Sequence, residues 1–195
     1  MERSAVYRRA LAPITTFVGV VGIAAAIAGW ALKIESMQSF AIYWMSVCLV
    51  VIAGAFFLVR RQALKNSENF WSPPTRRVAQ AMLPALLIGS VVGVVVASLL
   101  THEEARPIAM VLILVWALLY GLALLAAGFF MPRGVRLFGW GFVIAGFILL
   151  GWWIARAFLG WTDVPPYLLM GVIFGASHLA YGIYLYFTEP RKNET

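Results

Sequence analysis

The sequence predicts an all-α, polytopic integral membrane protein of six transmembrane helices with both termini in the cytoplasm. Three observations predict it. Of 195 residues, 63% are hydrophobic and 12% charged, with a mean hydropathy of +0.88. A soluble domain is roughly half apolar and about a quarter charged, so this chain could not coat a soluble exterior. Its hydrophobicity argues equally against disorder. Second, the apolar residues fall into six uncharged runs long enough to cross a hydrocarbon core about 30 Å thick. Third, the basic residues divide unequally between the two sets of connections.

The spans must be helical, because lipid cannot hydrogen-bond a bare backbone, and the runs lack the alternation of a transmembrane barrel. The first, 13–32, follows Arg8 and Arg9. Its apolar run exceeds the roughly 7–15 residues of a signal-peptide core, and Ala24–Ala26 lie inside it, so it is read as a retained helix. The second, 39–59, holds Cys48, a lone cysteine that excludes an internal disulfide and is read as a small buried apolar residue. The third, 79–100, contains Pro84, which removes a backbone donor and is expected to kink the helix. Ala85, Gly89, Gly93 and Ala97 recur there every fourth residue, a stripe suited to close helix contact. The fourth is 107–130. The fifth is 137–158, uncharged over 137–155, with Gly141 and Ala145 as its expected packing pair. The sixth, 166–188, carries Gly171, Gly175 and Gly182. Gly22 with Ala26, and Ala25 with Gly29, give the first span similar small faces.

The connections are short; the longest, 60–78, has 19 residues. None can bury a core of its own. Residues 1–195 therefore form a single transmembrane helical domain with no soluble catalytic or DNA-binding domain.

Twelve of the fifteen Lys and Arg residues fall on one side: Arg3, Arg8, Arg9, Arg60, Arg61, Lys65, Arg76, Arg77, Arg133, Arg136, Arg191 and Lys192. Lys33, Arg106 and Arg156 fall on the other. Short basic loops stay cytoplasmic, which places both termini there and explains the net charge of +7 without a nucleic-acid partner. The expected partners are the bilayer, including its anionic headgroups, and a membrane or cytoplasmic protein; a homo-oligomer is also compatible with the sequence. Most Trp and Tyr residues, among them Trp30, Trp44, Trp71, Trp140 and Trp152, lie near span ends, as interfacial rings do. The sequon Asn193-Glu194-Thr195 falls on the cytoplasmic tail and should be unused. Size and loop charge point to a bacterial inner membrane.

Candidate sites follow. His178 is the thirteenth residue of its span, close to the midplane, where an ionisable group is a functional candidate. Tyr181 is placed to share its face, and Trp116 with Tyr120 form a second aromatic pair at i and i+4. A His–Tyr pair can relay a proton or hold a polar ligand; the structural alternative is a histidine satisfied by one interhelical hydrogen bond. No carboxylate or second histidine lies at that depth, so neither a metal site nor any cofactor is expected. The outer loop Thr101-His102-Glu103-Glu104-Ala105-Arg106 has Arg106 where a zincin needs its second histidine and reads as a solvated acidic loop. Between the second and third spans runs Phe70-Trp71-Ser72-Pro73-Pro74-Thr75-Arg76-Arg77. There Pro-Pro should force an extended turn, Phe70 and Trp71 should enter the headgroup layer, and Arg76 and Arg77 should reach phosphates. This loop reads as an interfacial anchor or as a docking surface for a cytoplasmic partner.

No P-loop, nucleophile elbow or C-x-x-C motif is present. The segment from Phe70 to Arg77, together with His178-Leu179-Ala180-Tyr181-Gly182-Ile183-Tyr184, resembles small bacterial six-helix inner-membrane proteins of no known activity. The resemblance implies the fold and brings no catalytic role. The expected function is a non-enzymatic membrane component of accessory, sensing or regulatory type, acting through basic cytoplasmic loops. The alternative is a small-solute or proton transporter using the cluster at His178. An intramembrane enzyme would need an acid or metal partner that the spans do not supply.

Overall fold

A computed structural model describes residues 3–65, 71–101, 105–159 and 164–188. It contains the six expected apolar spans. They are α1 (Arg3–Ala31), α2 (Met37–Lys65), α3 (Pro73–Leu99), α4 (Ala105–Ala127), α5 (Arg133–Leu159) and a composite last span. The last span comprises α6 (Pro166–Met170), a π-helical segment (Gly171–Ala176) and α7 (Ser177–Thr188). The chain is a multi-pass, all-helical membrane-type bundle.

The helices are longer than the apolar runs at one end. α2 continues past the expected 59 to Lys65, and α3 starts at Pro73 instead of 79. The loop expected over 60–78 therefore shrinks, and Arg76 and Arg77 sit in the first turns of a helix. The Pro-Pro pair does not make an extended turn; it opens α3. Proline suits the first helical positions because its φ is already helical and its missing N–H would have had no partner. The preference for extended backbone falls instead on Ser72 (φ −67°, ψ 155°). Its carbonyl accepts the Arg76 N–H at 3.0 Å, and its hydroxyl lies 3.0 Å from that of Thr75. α3 then runs through Pro84 as one helix. At the opposite end, Lys33 closes α1 in the left-handed region (φ 49°), a position that favours glycine. Ser36 then caps α2, its hydroxyl accepting the Ser39 N–H at 3.2 Å.

α4 lies between α3 and α5, and also meets α2 and α6; α1 lies between α2 and the last span. Ala109, Ile113, Ala117, Ala123 and Ala127 of α4 are fully buried, which makes it the central helix. Small residues set the closest approaches. A Cβ on Gly22 would stand 2.9 Å from the Gly175 Cα, one on Gly19 would collide with the Leu179 nitrogen, and one on Gly171 would stand 2.7 Å from the Ala26 Cβ. These contacts descend α1 as they climb the last span, an antiparallel seam at backbone distance. α4 and α5 cross in the same way: a Cβ on Gly121 would lie 3.0 Å from the Gly139 oxygen, and one on Gly139 equally close to the Gly121 oxygen. The expected pair Gly141 and Ala145 is not the packing face. Gly141 is exposed with nothing within 4 Å, and Gly139 and Gly146 take its place.

Two further expectations are corrected by packing. Trp44, expected near a span end, does not face outward; it is buried with Phe40 in a core cluster that includes Met37, Ile113 and Tyr167. Cys48 is not buried; it lies on the exposed face of α2. That outward face is apolar, as Leu49, Val50 and Phe57 show, because lipid rather than water is the surrounding solvent. Hydroxyls on such faces bond back to their own helix, Ser46 to Ile42 and Ser90 to Leu86 at 2.8 and 2.9 Å. Neither of these hydroxyls then presents a bare donor to the hydrocarbon.

Candidate functional site

Two places gather polar chemistry. The first is built around His178, which α7 carries immediately after the π-helical segment. A π turn widens the helix and shifts which carbonyls are taken by backbone amides. Here the Ser177 N–H reaches Val172. The carbonyl of Ile173 accepts the Ser177 hydroxyl, and that of Phe174 lies 2.6 Å from His178 Nδ1. A carbonyl can only accept, so Nδ1 carries the proton. Nε2 is then the acceptor for the Tyr120 hydroxyl at 2.8 Å. Both ring nitrogens of a residue only 2% exposed are thus satisfied.

Three helices supply the walls. The Phe138 ring stands edge-on to His178 at 5.0 Å and 87°, and Phe142 and Tyr120 lie with centroids 5.4 Å away. Phe142 also packs edge-on to Tyr120 at 4.8 Å and against Phe174 at 5.3 Å. Each such ring pair contributes about 0.5–1.5 kcal/mol beyond its area. The imidazole is therefore held in an aromatic box that fixes its tautomer and orientation.

The expected grouping is only partly assembled. His178 and Tyr120 meet directly. Tyr181 stacks on Phe138 at 4.4 Å and 15°, and its hydroxyl abuts Gly134. Trp116 turns away toward α3 and donates its Nε1–H to the Gly89 carbonyl at 2.9 Å. The sequence reading missed Phe138, Phe142 and Phe174, because aromatic residues in an apolar span carry no signal of which face they occupy.

The second place is at the start of α3. Trp71, Pro73, Arg76, Arg77 and Gln80 line an open groove of about 300 Å³. Three of the residues expected to act together, Trp71, Arg76 and Arg77, are brought together there. Arg76 and Arg77 follow each other on the helix, and Gln80 is one turn on. Pro73 and Gln80 were not anticipated. Trp71 is 58% exposed. Phe70 lies outside the described residues, as do His102, Glu103 and Glu104 of the acidic loop and the sequon at Asn193. Among the described residues, no three His, Cys, Asp or Glu side chains gather in a way that could hold a metal ion. No family model, curated protein or solved structure matches the chain.

Proposed function

We propose that the chain is a non-enzymatic membrane component of accessory or regulatory type, resident in a bacterial inner membrane with both termini cytoplasmic, and that it engages its partner through the basic groove at the start of α3. The observation that carries this reading is the groove itself, where Trp71, Arg76, Arg77 and Gln80 surround about 300 Å³ of open space. Satisfaction of His178 by Tyr120 and Phe174 supports it further, because the mid-span histidine is spent on packing. The test is photocrosslinking from position 71 in native membranes. A discrete protein adduct that is lost in Arg76→Gln/Arg77→Gln is expected, and recovery of no adduct overturns the reading.

Transport of a small solute or proton is the second reading. It is favoured by one observation, the π-helical segment next to His178, since such widened turns are frequent at functional sites. Flux by the reconstituted protein that falls on His178→Ala and Tyr120→Phe would favour it. Flux indifferent to both substitutions would remove these residues from any pathway.

A further inference from the structure

We propose that the groove at the start of α3 binds one anionic phospholipid, with its phosphate between Arg76 and Arg77 and its acyl chains laid along the exposed face of α3. This goes beyond the reading above, which gives the groove a protein partner, and it names a ligand class for the same side chains.

The charge comes from side chains, not from a helix end. Pro73 and Pro74 have no N–H, and that of Arg76 is bound to Ser72. Little of the usual amide cradle for an anion is left. Two guanidiniums remain, each able to take a phosphate oxygen pair in a planar fork, with the indole of Trp71 beside them. Among the described residues, no carboxylate lines the groove. At about 300 Å³ the space is at the small end for ligand pockets, which fits a phosphodiester head better than a whole bulky ligand.

Position chooses lipid over a soluble anion. From Gln80 the same face of α3 continues through Leu83, Leu87, Val91 and Val94, all exposed and apolar. Leu83 to Val94 rises about 16 Å, close to the roughly 15 Å of one leaflet's hydrocarbon. A headgroup seated on Arg76 and Arg77 would therefore have a full-length apolar track beneath it. An acidic peptide docked from water would leave that track unused.

The test uses the full chain in a non-ionic detergent, with phosphatidylglycerol and phosphatidylcholine of matched acyl chains added and adducts counted by native mass spectrometry. The first phosphatidylglycerol should bind about tenfold more tightly than phosphatidylcholine. Arg76→Gln/Arg77→Gln should weaken it by about thirtyfold, taking each arginine near an anionic surface at its usual worth. Arg60→Gln/Arg61→Gln, at the end of α2 and outside the groove, should retain the preference, and Trp71→Ala should weaken the first adduct alone. Equal binding of the two lipids, equal loss in both double variants, or displacement of the lipid by excess inorganic phosphate would each overturn the proposal. A lipid-selective groove that yields no protein crosslink at position 71 sinks the docking reading and leaves the lipid site standing. A protein crosslink without lipid selectivity does the reverse.

Discussion

Replacing Tyr120 by phenylalanine removes one oxygen from the aromatic box and almost nothing else. The phenylalanine ring keeps its edge-on contact with Phe142 at 4.8 Å, so no cavity opens. What is lost is the donor to His178 Nε2 at 2.8 Å. His178 is 2% exposed and its other nitrogen is already committed to Phe174, so water does not readily replace the lost donor. A buried polar atom left unsatisfied costs about 1–3 kcal/mol in proteins, whereas side-chain hydrogen bonds in membrane bundles average about 0.6 and reach about 1.7 kcal/mol. Exclusion of water by three rings puts this case at the upper end, about 1.5 kcal/mol, or roughly a tenfold change in the folded-to-unfolded ratio. Reversible unfolding of the purified chain in mixed non-ionic and dodecyl sulfate micelles, followed by tryptophan fluorescence, reads the difference. The partner test is a double-mutant cycle with His178→Phe. That substitution alone strands the Tyr120 hydroxyl, but with Tyr120→Phe it leaves only apolar rings, so the double variant should cost less than the two singles added. A Tyr120→Phe protein within about 0.3 kcal/mol of the parent, or strict additivity in the cycle, would refute the claim that this bond fixes the histidine.

Other outcomes follow from the same geometry. Gly22→Ala brings a methyl 2.9 Å from the Gly175 Cα and should destabilise by about 1–3 kcal/mol. Gly141→Ala meets nothing within 4 Å and should stabilise by up to about 1 kcal/mol through helix propensity; denaturation midpoints of the two variants compare them directly. Cys48 lies on the apolar outward face of α2, which a charged reagent in water does not reach. A charged, membrane-impermeant thiol reagent should leave it unmodified in membranes and modify it after dissolution in dodecyl sulfate; modification in intact membranes would displace α2 from the bilayer. In a Cys48→Ser background, Lys65→Cys should react only from the cytoplasmic side and Lys33→Cys only from the opposite side. The reverse pattern would invert the orientation assigned from the basic residues.

The spans were legible because uncharged length is a one-dimensional property. Their faces were not. Gly139 and Gly141 are two residues apart, so they point about 200° away from each other on a helix. α5 is apolar all round, and nothing in its sequence says which glycine row meets α4. Cys48 went wrong for the same reason: position along a span was readable, rotation about its axis was not. His178 stood out because it is ionisable, and Tyr120 because it pairs with Trp116 at i and i+4 in mid-span. Their partnership joins positions 58 residues apart and belongs to the packing alone. At Pro73-Pro74 the residue types were read correctly as a boundary, but the boundary proved to be the start of a helix, because helix initiation tolerates the missing amides that helix continuation would not.

The seam between α1 and the last span sets the order in which this bundle can be completed. α1 is made before the last described span, and one of its flanks is shaped, at Gly19 and Gly22, to receive backbone from Gly175 and Leu179. Until residues near 180 have left the ribosome, that flank has only lipid against it. α4 and α5, joined by a short turn, can pair as soon as they are inserted. Pairing of α1 with the last described span is therefore a late step relative to pairing of α4 with α5. A truncation that removes α7 would insert five helices normally and leave α1 with an open, glycine-lined side, the kind of surface that membrane quality control can recognise.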